Sequence, residues 1–185
     1  MRIVGIDPGY AIVGWGILEY KNSKFITLDY GAITTDASQK FCDRLEKIYD
    51  SLKNIFSVYK PECMAIEKLF FSVNKKTAID VAQARGVILV TAKKFNIKVF
   101  EYAPVEVKKS VVGYGRATKS QVMNMIKMVL NLKVIPKPDD TADALALAVA
   151  HAHCSFSRLF IAKENLWFIV LKEFLAVLKH MMDFV

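Results

Sequence analysis

Residues 1–9 of the chain are MRIVGIDPG, an apolar run that ends in an acid, a proline and a glycine. Such a run predicts a buried β-strand over residues 2–8, followed by a sharp turn at Gly9, because glycine adopts backbone angles that other residues avoid. Asp7 then stands at the tip of a buried strand, where a carboxylate is costly unless a cation or a donor compensates it. This stretch predicts a strand that starts a sheet and presents an acid at its end.

The following segments alternate between strand and helix patterns. Short apolar runs bounded by turn residues predict strands, and apolar residues spaced three and four apart predict helices. In chain order these are strands at 12–19 and 24–34, a helix at 38–59, a strand at 62–67, a helix at 75–95, a strand at 97–102, a short helix from 104, and helices at 119–131 and 139–157. The first three strands would form an antiparallel meander. The order predicts an α/β layer fold with a five-stranded mixed sheet flanked by helices.

Three more acids stand at the ends of predicted elements. Glu67 ends the apolar run CMAIE at 63–67, and Asp140 and Asp143 open an alanine-rich helix. A spacing of three places those two acids on one helix face. Each acid alone has an ordinary explanation, as a turn residue, a strand-end ion pair or a helix cap.

Taken together, the four acids predict a metal site. Carboxylates that converge on one point cannot all stay ionised without cations between them. Hard oxygen ligands suit Mg²⁺ or Mn²⁺. Two such ions flanking a phosphate form the site of a nuclease or of another phosphoryl-transfer enzyme.

The charge distribution indicates a polyanionic partner. The 185 residues include 26 basic and 18 acidic ones, which gives a formal net charge of +8. Between Lys68 and Lys133 thirteen Lys and Arg residues face only three acids, so nucleic acid is the first candidate. The alternative is a solvated surface rich in lysine.

Length and cysteine content narrow the class of protein further. A chain of 185 residues fits one domain with a sizeable core. The three cysteines, Cys42, Cys63 and Cys154, show no zinc-binding spacing, which predicts reduced thiols and a cytoplasmic location. Cys63, inside an apolar run, is predicted to be a core residue.

Six segments carry a resemblance that runs in order from residue 1 to about residue 154. They are GIDPG at 5–9, AIE at 65–67, AQARG at 82–86, VK at 107–108, VVG at 111–113 and ADALA at 142–146. In sequence and spacing the chain resembles the RuvC family of Holliday-junction resolvases. The resemblance implies a ribonuclease H-like nuclease domain over residues 1–157, a homodimer, and two Mg²⁺ ions per site, replaceable by Mn²⁺. Their implied ligands are Asp7, Glu67, Asp140 and Asp143.

The same resemblance implies the reaction. The substrate would be a four-way DNA junction, nicked symmetrically in two strands to leave 5′-phosphate and 3′-hydroxyl ends. A branch-migration helicase complex is the implied protein partner. Basic residues would grip the phosphates, which makes binding sensitive to salt.

Basic and aromatic residues also receive roles from the resemblance. Lys108 and Lys119 would act as catalytic residues beside the scissile phosphate, where an ammonium offsets the charge of the pentacovalent transition state. Phe70 would stack on a base at the junction centre. The full set of predicted DNA-binding residues is Phe70, Lys75, Lys76, Arg85, Lys108, Lys109, Arg116 and Lys119. For Arg85, a DNA contact and a role in closing the dimer both stay open.

Two other functions fit parts of the pattern. An actin-like ATP-binding protein is suggested by Asp7-Pro8-Gly9 and the strand meander, although such a protein should carry a second glycine-rich phosphate loop. A non-catalytic junction-binding scaffold is the other alternative, although DNA binding alone gains nothing from four acids that face a phosphate. His151 and His153 are predicted to be surface or packing residues, because they lie two to three turns beyond Asp143.

Residues 158–185 depart from the family pattern. Their polar residues fall in one narrow helical stripe and leave a broad apolar face, which predicts an amphipathic helical extension. Its longest unbroken apolar run is too short to span a bilayer, which needs about 20 residues. A helix packed on the protein is the favoured interpretation, and a membrane-surface helix, a partner-bound helix and a disordered end are the alternatives.

Overall fold

Five strands form one mixed sheet in the order β3-β2-β1-β4-β5. The structure, a computed structural model, describes residues 1–68 and 78–155. The strands are β1 (Arg2–Asp7), β2 (Ile12–Lys21), β3 (Lys24–Thr34), β4 (Cys63–Glu67) and β5 (Lys98–Tyr102). The helices are α1 (Phe41–Tyr59), α2 (Ala78–Lys94), α3 (Pro104–Val112), α4 (Lys119–Val129) and α5 (residues 139–155). The predicted α/β layer fold with a five-stranded mixed sheet is confirmed.

The strand directions bring the ends of β1 and β4 to one edge of the sheet. Strands β1, β2 and β3 pair antiparallel, as the predicted meander requires. Strand β4 pairs parallel to β1 and to β5. In that register Ile6 lies opposite Ile66, so Asp7 and Glu67 each follow a paired residue at the same edge.

The two faces of the sheet are packed in different ways. One face holds a buried core in which Val4 and Ile6 meet Leu52 of α1 and Ile88 of α2. Cys63 is 3% exposed, as predicted, and burial raises the pKa of its thiol to about 12. The other face receives α5, whose small residues allow a close approach to the strands.

Helix α1 begins later than its pattern predicts. The periodicity starts at residue 38, but the helix begins at Phe41. The backbone N–H of Ser38 instead donates to the Asp36 carboxylate at 2.9 Å, which holds residues 36–38 in a turn. Residues 75–77 of the second predicted helix lie outside the described residues.

Residues Met1–Ala152 form one compact unit, and His153–Val185 form a second, of which only 153–155 are described. The predicted domain boundary between 157 and 158 and the predicted extension both lie outside the described residues. Among the helices of the described part, none is long and apolar enough to cross a membrane.

Candidate active site

Helix α5 reaches the sheet because glycines replace side chains where it crosses. A Cβ atom added to Gly5 on β1 would lie 1.9 Å from the carbonyl oxygen of Ala144. One added to Gly14 on β2 would lie 2.0 Å from the carbonyl oxygen of Asp140. Gly14 is the cross-strand partner of Asp7. The start of α5 is therefore seated directly beside the end of β1, and Asp140 comes close to Asp7.

The electrostatics of Asp7 report the convergence of all four acids. Burial raises the pKa of Asp7 to about 8, and the charges of Asp143, Glu67 and Asp140 add to that rise, while Lys119 opposes it. Burial also raises the pKa of Glu67, followed by the charge of Asp143, against the lowering effect of Lys108 and Lys119. The four acids thus share one region of strong negative potential at the edge of the sheet.

Lys119 supplies positive charge to this region. Its Nζ lies 2.9 Å from Oδ2 of Asp143 and 3.8 Å from Oδ2 of Asp139. Burial lowers the pKa of Lys119, but the hydrogen bond and the charge of Asp143, together with Asp139 and Asp140, outweigh it and raise the pKa. Lys119 starts α4, where a capping box between Thr118 and Gln121 fixes the first turn.

A cavity of about 220 Å³ lies beside the acids. Four charged side chains line it, Glu67, Lys108, Lys119 and Asp143, and its apolar wall consists of Pro104, Val107, Val122, Ala146 and Leu147. The predicted catalytic lysines come from α3 and α4 and thus face the same space as two of the predicted metal ligands. A phosphate that enters this space would meet cations and carboxylates together.

The donor set is suited to a hard divalent cation. Within residues 1–68 and 78–155, no three acids, histidines or cysteines already surround a common point at metal-ligand distance, so the side chains must reorient to share an ion. The carboxylates nevertheless supply only hard oxygen donors, which Mg²⁺ and Mn²⁺ prefer. Burial raises the pKa of Asp7, and the charges of Asp143, Glu67 and Asp140 raise it further against the opposing effect of Lys119, so a bound cation would be favoured here. The residues therefore fit the metal ions implied by the sequence.

The other predicted DNA-binding residues fall into three groups. Lys109 and Arg116 are exposed, and the Lys109 stem packs over Gly115 in the loop between α3 and α4. Phe70, Lys75 and Lys76 lie outside the described residues. Arg85 has internal partners, because its side chain is only 13% exposed and forms an ion pair with Glu101.

Sequence reasoning missed a hydrogen bond that links the sheet to α5. The Tyr102 hydroxyl and Nδ1 of His151 are 2.7 Å apart, and His151 is 2% exposed. His151 is thus a packing residue, one of its two predicted roles. The sequence does place Tyr102 at the end of a predicted strand. That position indicates the hydrogen bond to His151 only once the pairing of β5 with β4 is known.

Comparison with known proteins identifies the family. The sequence model described as "Crossover junction endodeoxyribonuclease RuvC" matches residues 3–151. The protein of that name from Ruminiclostridium cellulolyticum is 54% identical over 153 residues, which cover 83% of this chain and 92% of the relative. This chain belongs to the RuvC family. The relative from Alkaliphilus oremlandii is 52% identical over 88% of this chain and its own full length.

Solved structures of the RuvC family agree with the fold. The structure described as "T. thermophilus RuvC in complex with Holliday junction substrate" matches with a TM-score of 0.79 and 32% identity, over 84% of this chain and 94% of that one. A yeast mitochondrial Holliday junction resolvase matches with a TM-score of 0.60 at 14% identity, which supports the fold alone. The predicted ribonuclease H-like fold is confirmed, and RuvC proteins are metal-dependent nucleases.

Proposed function

We propose that this chain resolves four-way DNA junctions by hydrolysing one phosphodiester bond in each of two strands. The observation that carries the proposal is the convergence of four acids from β1, β4 and α5 beside two lysines that line the same cavity. A RuvC relative of this chain is solved with a Holliday junction substrate.

The four acids, Asp7, Glu67, Asp140 and Asp143, would hold two Mg²⁺ ions. Held there, the ions would supply an activated water and charge stabilisation for the leaving oxygen. Water would add to phosphorus and lose a proton, and the bond from phosphorus to the 3′ oxygen would break as that oxygen takes up a proton, which leaves 5′-phosphate and 3′-hydroxyl ends. Lys108 and Lys119 bind the non-bridging oxygens, where charge builds in the transition state.

Junction DNA would lie over the basic surface around the cavity. Lys109 and Arg116 are exposed beside the helices that carry the two catalytic lysines, so they can bind neighbouring phosphates. Neutralised phosphates release counterions, and binding therefore weakens steeply as salt rises.

A two-fold dimer would give the paired nicks. One face of α2 carries a stripe of residues at a helical spacing of four, three and four, namely Ile79, Gln83, Gly86 and Val90. Ile79 is 68% exposed and Val90 is 57% exposed. An apolar cavity of about 630 Å³ adjoins this stripe between α1 and α2, lined in part by Leu45, Tyr49 and Val87. An exposed apolar face of this kind suits self-association. By family resemblance, a branch-migration helicase complex would deliver the junction.

The test is cleavage of a synthetic four-way junction with Mg²⁺, compared with a linear duplex of the same sequence. Junction-specific nicks that disappear with EDTA are expected. Asp7→Asn should be inactive, whereas Asp50→Asn, which alters an exposed acid on α1, should cleave normally. Equal cleavage of both substrates, or activity in Asp7→Asn, would contradict the proposal. ATP binding measured by calorimetry would favour the actin-like alternative, and tight junction binding with no cleavage in any divalent metal would favour the scaffold.

A further inference from the structure

The peptide unit between Glu67 and Lys68 is held at both of its polar groups. Its carbonyl oxygen, from Glu67, accepts a long hydrogen bond of 3.4 Å from Nε of Arg85. Its N–H, from Lys68, donates to the carbonyl oxygen of Tyr102 at 2.9 Å. Because a peptide unit is planar, two opposed anchors fix its orientation and hold the Glu67 Cα atom from which the carboxylate side chain extends.

The position of the Arg85 side chain is itself fixed by an ion pair. Arg85 projects from α2, its side chain is 13% exposed, and its guanidinium forms an ion pair with Glu101 on β5. Ile66 is the register partner of Glu101, so this ion pair lies one residue before the paired ends of β4 and β5. A planar guanidinium with acceptors on two strands joins those strands to the helix.

The second anchor, Tyr102, connects to α5, the helix that carries Asp140 and Asp143. The Tyr102 hydroxyl is hydrogen bonded to His151, two turns beyond Asp143 on α5. A series of hydrogen bonds therefore connects α2, β4, β5 and α5. It runs through Arg85, the peptide unit, Tyr102 and His151. Two of these elements carry proposed metal ligands.

We propose that Arg85 is a positioning residue that sets the placement of Glu67 as a metal ligand, an inference that rests on the proposed function. Glu67 is the last residue of β4, and the ends of elements open locally more readily than central residues do. Metal sites require ligands placed within about 0.5 Å. The burial of the Arg85 side chain and its pairing with Glu101 leave little of it for a DNA phosphate or a partner subunit.

The experiment measures Mn²⁺ binding to the full-length protein by calorimetry, without DNA. Arg85→Ala should weaken Mn²⁺ binding about tenfold or more, as loss of a residue that orients a metal ligand typically does. It should raise the Mg²⁺ concentration for half-maximal junction cleavage by a similar factor. Arg85→Lys should fall between, because lysine retains the charge but lacks the fork that reaches both acceptors. Lys93→Ala, an exposed charge on the same helix, should match the wild type.

Two further measurements separate the competing roles. Junction affinity in EDTA and the sedimentation coefficient should both be unchanged in Arg85→Ala. Weaker junction binding with normal Mn²⁺ affinity would overturn the inference in favour of a DNA contact, and a monomer with normal Mn²⁺ affinity would overturn it in favour of a dimer contact.

If Arg85→Ala fails to fold, Arg85→Lys and Glu101→Gln decide, and normal Mn²⁺ affinity in both rejects the inference. A wild-type protein that binds no Mn²⁺ and cleaves no junction would instead reject the proposed function.

Discussion

The ionised carboxylate of Asp7 lowers the stability of the folded state. It is buried at the end of β1 near three other carboxylates, and burial together with their charges raises its pKa to about 8. The folded state without metal therefore binds this proton more tightly than the unfolded chain does. The ionised form, which ligation requires, opposes folding as the pH rises from about 4 towards 8.

Asp7→Asn should abolish cleavage, retain junction binding and raise the melting temperature in EDTA. The amide keeps the shape but removes the buried charge, so the gain should be larger at pH 8.5 than at pH 5. Each kcal/mol gained corresponds to about 2–4 °C for a chain of this size. Thermal melts at both pH values, beside Asp50→Asn, check this, and a lower melting temperature at pH 8.5 would contradict it.

Lys108→Ala and Lys119→Ala should lower the rate of cleavage more than junction affinity. Both side chains line the cavity beside Glu67 and Asp143, so they can act on charge that develops only in the transition state. The expected loss is about 2–4 kcal/mol of transition-state stabilisation. Single-turnover rates at saturating protein measure it, with Lys127→Ala on α4 as the control. Normal rates with weaker binding would make both lysines simple phosphate contacts.

At the level of elements, sequence reasoning succeeded where a pattern is local. The apolar runs before Asp7 and Glu67 predicted two strands with acids at their ends, and the alanine-rich run after Asp140 predicted a helix that starts with two acids. The contact of Gly14 with α5 and the pairing of Arg85 with Glu101 were missed, because both depend on which strands become neighbours. The apolar periodicity also predicted a helix that starts at residue 38, before the observed start of α1. The turn held by the Asp36 side chain competes with the helix there.

Gly14→Ala should both destabilise the fold and impair cleavage. The new methyl group would lie 2.0 Å from the carbonyl oxygen of Asp140, so α5 must shift away from β2 and carry its acids with it. Such overpacking costs about 1–3 kcal/mol or more. Gly31→Ala on β3 is the control, since the nearest atom to its methyl group would belong to the Trp15 side chain, at 3.2 Å, and not to a backbone carbonyl. Urea unfolding and junction cleavage measure the two effects, and equal results for both variants would contradict the expectation.

At the level of the whole molecule, paired cleavage depends on two copies acting on one junction. Val90→Glu should shift the protein to monomers and convert paired nicks to single ones, because the stripe on α2 would carry a charge into the dimer contact. Val134→Glu is the matched control, with 65% exposure against 57% for Val90. Sedimentation and the fraction of doubly nicked plasmid cruciforms measure the effect. A dimer that persists in Val90→Glu would move the contact away from α2.

The glycines beneath α5 have a consequence for how such a chain can diverge. A core side chain can be exchanged for another of similar volume at little cost. Gly5 and Gly14 have no such substitutes, because every other amino acid brings a Cβ into a backbone carbonyl. Neutral substitutions should therefore accumulate on the face of the sheet covered by α1 and α2, but not at Gly5 or Gly14. Random mutagenesis followed by selection for function should recover many sequences at the first face and only glycine at these two positions.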